Sequence, residues 1–62
     1  MANYSDLQLG HFYLIIENEN DEIQMVEPIL LTDNCVLLLL HDEFENTIWR
    51  KLSDSISEML MN

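Results

Sequence analysis

From His11 the chain turns apolar for five residues, Phe12 to Ile16, and reads as a strand. Phe12, Leu14 and Ile16 point one way, Tyr13 and Ile15 the other. That is the period of a β-strand, and its β-branched and aromatic content agrees. Residues 1–10 form a polar lead-in ending at Gly10, in which Leu7 and Leu9 alternate and could extend the strand. Glu17 to Glu22 is polar and rich in Asn, and reads as a hairpin loop. A second strand follows from Ile23 to Leu31. Ile23 and Met25 share one face, and Val26 takes the other. Pro28 cannot donate to a ladder, so this strand lies at an edge or carries a bulge. Thr32-Asp33-Asn34 is a turn. Cys35 to Leu40 is an unbroken apolar run that suits a strand buried on both faces.

The last third fits two patterns. As a helix from Glu43 to Met61, it gathers Phe44, Ile48, Trp49, Leu52, Ile56, Met59 and Leu60 on one arc of roughly 160°. Asp42 is then the N-cap and Glu45 completes a capping box. As a strand over Thr47 to Leu52, it leaves Ser53, Asp54, Ser55 and Ser57 outside a helix interior, where they are disfavoured. Ser55 and Glu58 then cap a short final helix. The first pattern predicts an α+β fold, a three-stranded antiparallel meander followed by a C-terminal α-helix. The second predicts an SH3-like small β-barrel with a short C-terminal helix. In the helix version Tyr13, Ile15 and Val26 line a bare sheet face, larger than a monomer normally exposes. A homodimer would cover it, and barrel closure would cover it without a partner.

Composition narrows the function. The chain has 62 residues, with 12 Asp+Glu against 2 Lys+Arg, for a formal net charge of −10. Residues 1–62 are expected to form a single small acidic domain. Two basic residues are too few for direct nucleic-acid binding or for an anionic membrane surface. No apolar run approaches the ~18 residues of a membrane span. Met1-Ala2-Asn3-Tyr4 carries no secretion-signal pattern, so a cytoplasmic protein is expected. One Cys excludes a disulfide framework. His11, Cys35 and His41 fall on separate elements, without zinc spacing. Glu17-x-Glu19-x-Asp21 has the alternation of a calcium loop but no following Gly. The single Gly rules out a phosphate loop, and no buried cleft is foreseen for acid–base chemistry. No cofactor, metal or enzymatic activity is expected.

What remains is the placement of charge. A meander puts the loop after the first strand and the exit of the third at one end. Glu17, Glu19, Asp21 and Glu22 would then share a rim with Asp42, Glu43 and Glu45. In an extended segment, Glu17, Glu19 and Asp21 would lie roughly 6–7 Å apart, near the phosphate spacing along one nucleic-acid strand. Phe44 and Trp49 are the candidate apolar anchors. In charge and size the chain resembles the DNA-mimic inhibitors of phages and mobile elements: uracil-DNA glycosylase inhibitors, anti-restriction proteins and some anti-CRISPR proteins. The resemblance implies an anti-defence inhibitor that occupies the basic surface of a nucleic-acid-binding enzyme. The alternative is a small structural or regulatory interaction module of a bacterial assembly, with its apolar surface in control and its acids merely solvated.

Overall fold

The computed structural model describes residues 1–61 and is all-β. Its strands are β1 (Ala2–Asn3), β2 (Tyr13–Ile16), β3 (Gln24–Leu31), β4 (Cys35–Leu40), β5 (Thr47–Lys51), β6 (Ser55–Ile56) and β7 (Glu58–Met61). They form a five-stranded antiparallel sheet in the order β5-β4-β3-β2-β7 and a small β1-β6 pair.

The main correction to the expected fold concerns the C-terminal third. Among the described residues there is no α-helix, only a 3-10 turn at Tyr4–Asp6. Both the long helix from Glu43 to Met61 and the short final helix are absent. Thr47-Ile48-Trp49 lies in an edge strand, as β-branched and aromatic residues favour. Ser53, Asp54, Ser55 and Ser57 offer the backbone local alternatives to helical hydrogen bonds, which weakens a helix. Ser55–Ile56 and Glu58–Met61 are strands instead. Asp42 is not an N-cap; its Oδ1 accepts from the Phe44 N–H at 3.0 Å within the β4–β5 hairpin.

The first strands lie near their expected positions, with one difference. Of the two alternatives for β3, edge or bulge, the structure has the bulge: β3 is central, and its register shifts against β4 between Pro28 and Leu30. The missing N–H is accommodated at that irregularity. β4 is not buried on both faces. Val36 and Leu38 are buried, while Cys35, Leu37 and Leu39 on the opposite face are only half-buried.

Alternation along paired strands builds the core. Ile15, Val26, Leu38 and Ile56 are fully buried, with Tyr4, Leu7, Tyr13 and Val36 around them. Tyr13, Ile15 and Val26 therefore face the core, not a bare surface. The lead-in is ordered and covers part of this core. The Tyr4 N–H donates to the Asp54 carbonyl and the Ser5 N–H to the Leu52 carbonyl, each at 3.1 Å. The Asn3 N–H donates to Asp6 Oδ2 at 2.9 Å, tightening the turn that buries Tyr4. Gly10, at φ 80°, brings the chain from this strap into β2. A Cβ there would meet nothing, so the backbone conformation alone favours glycine.

The β4–β5 hairpin closes with the Leu40 N–H donating to the Asn46 carbonyl at 2.8 Å. Glu45 takes φ 51°, the left-handed region that side chains disfavour. Glu45→Gly is expected to raise stability by about 0.5 kcal/mol, because the relief of that strain exceeds the added freedom of the unfolded chain. A higher urea midpoint with an unchanged slope would show it.

Candidate partner-binding surface

Two acidic loops meet at one side of the sheet. The β2–β3 loop runs from Glu17 to Ile23 and the β4–β5 loop from His41 to Asn46. The His41 N–H donates to the Met25 carbonyl at 2.9 Å, which holds the loop bases together. Between them lies an open depression of about 250 Å³, lined by Glu22, Ile23, Gln24, Met25, Leu40, His41 and Asp42. Glu22 and Asp42 thus border one hollow. Glu19, Asp21, Glu43 and Glu45 are exposed on the loops around it. Phe44 projects from the hairpin with 75% of its surface exposed.

The strand-like spacing of Glu17, Glu19 and Asp21 is not realised. The Asp21 N–H donates to the Asn18 carbonyl at 2.9 Å, and the Asn18 amide donates to Asp21 Oδ2 at 3.0 Å. This turn removes the extended geometry on which the match to phosphate spacing depended.

Glu17 does not belong to the exposed rim. Only 7% of its side chain is exposed, and its Oε2 accepts two short hydrogen bonds. One comes from the Tyr4 hydroxyl and one from Arg50 Nε, each at 2.6 Å. The Ser57 N–H donates to its carbonyl at 3.0 Å. The cluster ties the N-terminal strap, β2, β5 and the β6–β7 segment together. It borders a polar cleft of about 380 Å³, shared with Asn18, Asp54 and Ser55.

Burial raises the Tyr4 phenol well above its ordinary range, and the Glu17 hydrogen bond and charge push the same way; Arg50 partly opposes them. For Arg50, burial favours the neutral form, but the Glu17 bond and charge more than offset it. The sign for Tyr4 gives a pH prediction. Below the ordinary phenol value of about 10, both folded and unfolded chains keep the proton and the stabilisation is complete. Above it, the unfolded chain releases a proton that the folded chain retains, so stability falls. Tyr4→Phe is expected to cost about 1 kcal/mol at neutral pH and to flatten the alkaline decline. Urea midpoints followed from about pH 8 to about pH 11 measure both effects.

Trp49 is not beside the acidic hollow. It lies on the outer face of β5, opposite Leu37 of β4, which is opposite Leu30 of β3. Strand alternation could have placed this cross-strand row, but a helical reading of Trp49 hides it. The rim candidates therefore separate. Glu22 and Asp42 line one hollow, Glu19, Asp21, Glu43, Glu45 and Phe44 are exposed on the same two loops, Glu17 is internal, and Trp49 belongs to another surface. Among the described residues, no group of His, Cys, Asp and Glu could hold a metal ion, and no helix is long and apolar enough to cross a membrane. Comparison with protein-family models, curated proteins and solved structures finds no match to this chain.

Proposed function

We propose that this protein is a non-enzymatic acidic inhibitor that blocks a nucleic-acid-binding enzyme by charge mimicry of DNA. In this reading it is a cytoplasmic anti-defence protein of the phage or mobile-element type. The supporting observation is the lack of compensation on the two loops. Arg50 is taken up by Glu17, and His41 Nε2 lies 3.3 Å from Glu27 Oε1. Neither involves Glu19, Asp21, Glu22, Asp42, Glu43 or Glu45. Gathering unpaired like charges costs stability, and a basic partner surface would relieve that cost while the field speeds encounter. The match is one of charge density, since the phosphate-like spacing is absent.

The test replaces Glu19, Glu22, Glu43 and Glu45 with Gln and Asp21 and Asp42 with Asn, leaving Glu17 in place to preserve the core. Immobilised wild type is expected to retain a DNA-binding enzyme from bacterial lysate at low salt and to release it to duplex DNA. Affinity should fall roughly a hundredfold between low and moderate salt, as charge-dominated contacts do. The neutralised variant should retain none of that enzyme. A DNA-binding enzyme held equally by both proteins at every salt concentration, or no such enzyme retained by the wild type, would overturn the proposal.

One observation favours the second reading, a structural or regulatory interaction module. Leu30, Leu37 and Trp49 form a cross-strand row on the outer face, and Trp49 is 49% exposed. Binding through that row would survive neutralisation of the rim.

A further inference from the structure

The outer sheet face carries a carboxylate among apolar residues. Met25, Glu27 and Leu30 come from β3, Leu37 and Leu39 from β4, and Trp49 from β5. Glu27 pairs in register with Leu39, which pairs with Thr47; the next row is Leu30, Leu37 and Trp49. The Glu27 side chain is only 24% exposed. Its Oε1 lies 3.3 Å from His41 Nε2, and the His41 ring meets Phe12 edge-on with centroids 5.0 Å apart. The carboxylate thus keeps part of its surface in water while apolar side chains neighbour it on the strands.

We infer that this face docks a protein segment with an apolar surface and one lysine or arginine at its centre, the cation being received by Glu27. A purely apolar partner covering the face would strip water from the carboxylate and return nothing to it. A cation at that point replaces the water the carboxylate loses on docking, and the surrounding apolar contact shields the pair from solvent. A second copy of the chain is disfavoured. It would bring another chain of net charge −10, and a twofold arrangement about the face centre would oppose Glu27 to Glu27. The inference rests on the interaction-module reading of this face and requires nothing of the acidic rim.

Trp49 is the only tryptophan, so its fluorescence reports on this face directly. The probes are three synthetic amphipathic helical peptides, identical except for Lys, Leu or Glu at the centre of the apolar face. The Lys peptide is expected to shift Trp49 emission to the blue and to bind about tenfold more tightly than the Leu peptide, with the Glu peptide weakest. Glu27→Gln should erase the preference for Lys while still binding the Leu peptide, which also shows that the face remains folded. The rim-neutralised variant should keep the preference, so failure here and failure of the mimicry proposal are separate results. Equal affinity for the Lys and Leu peptides, or no Trp49 response to any peptide, would overturn the inference. So would a peptide-free dimer by sedimentation that Trp49→Ser converts to monomer.

Discussion

Arg50→Met is expected to remove about 3 kcal/mol of stability, read as a lower urea midpoint at unchanged slope. The two partners are not equally enclosed. Glu17 is 7% exposed and Arg50 29%. Removing the guanidinium leaves a buried carboxylate with the Tyr4 hydroxyl as its remaining side-chain donor. Removing the carboxylate strands a cation that still reaches water, so Glu17→Gln should cost less, about 1–2 kcal/mol. A domain of 62 residues has a total stability of about 3–9 kcal/mol at the usual value per residue, so Arg50→Met approaches the unfolding threshold. The pair need not be a net gain over an apolar alternative. Glu17→Leu combined with Arg50→Met should recover most of the loss, because neither charge is then left inside. Wild-type stability for Arg50→Met alone would mean that the pair behaves as an exposed one, worth about 0–1 kcal/mol.

That cluster was foreshadowed by alternation. Tyr13, Ile15 and Glu17 are spaced by two, so the pattern that turns Tyr13 and Ile15 inward turns Glu17 inward as well. Ile48, Arg50 and Leu52 have the same spacing. A strand over 47–52 therefore brings a cation to the inner face, where Glu17 waits. The helical reading concealed this because Ile48, Leu52 and Ile56 are four apart, a spacing that satisfies both the helix period and the strand period. Only the serines and Asp54 between them discriminate. The central strands were more legible, because Tyr13–Ile16 and Cys35–Leu40 lie between polar turns that limit their length. The proximity of Glu22 to Asp42 follows from the meander, but the turn that folds Glu19 and Asp21 away from an extended line depends on local bonds from Asn18. Glu27 sits one residue before Pro28, and which face it takes depends on a register that the sequence leaves open between an edge and a bulge.

The same argument makes Ile56 the most sensitive apolar position in the C-terminal third. Ile56→Ala is expected to cost about 3–4 kcal/mol and Ile56→Val about 1 kcal/mol, the difference measuring the cavity left behind. Ile56 is fully buried although its strand has only two residues, because β1 pairs with it through Ala2 and the core cluster surrounds it. It lies one residue before Ser57, whose N–H donates to the Glu17 carbonyl, so its loss also loosens the cluster at Arg50. Ile56→Ala and Arg50→Met should therefore combine non-additively. Removing residues 1–6 tests the same contact from the other side. Without Tyr4 and β1, Ile56 loses part of its cover, and the urea midpoint followed by circular dichroism should fall about as far as in Ile56→Ala. A wild-type urea midpoint in both variants would mean that the strap and the final strands pack independently of the central sheet. The buried Tyr4–Glu17–Arg50 bonds argue against that outcome, because they join those elements directly.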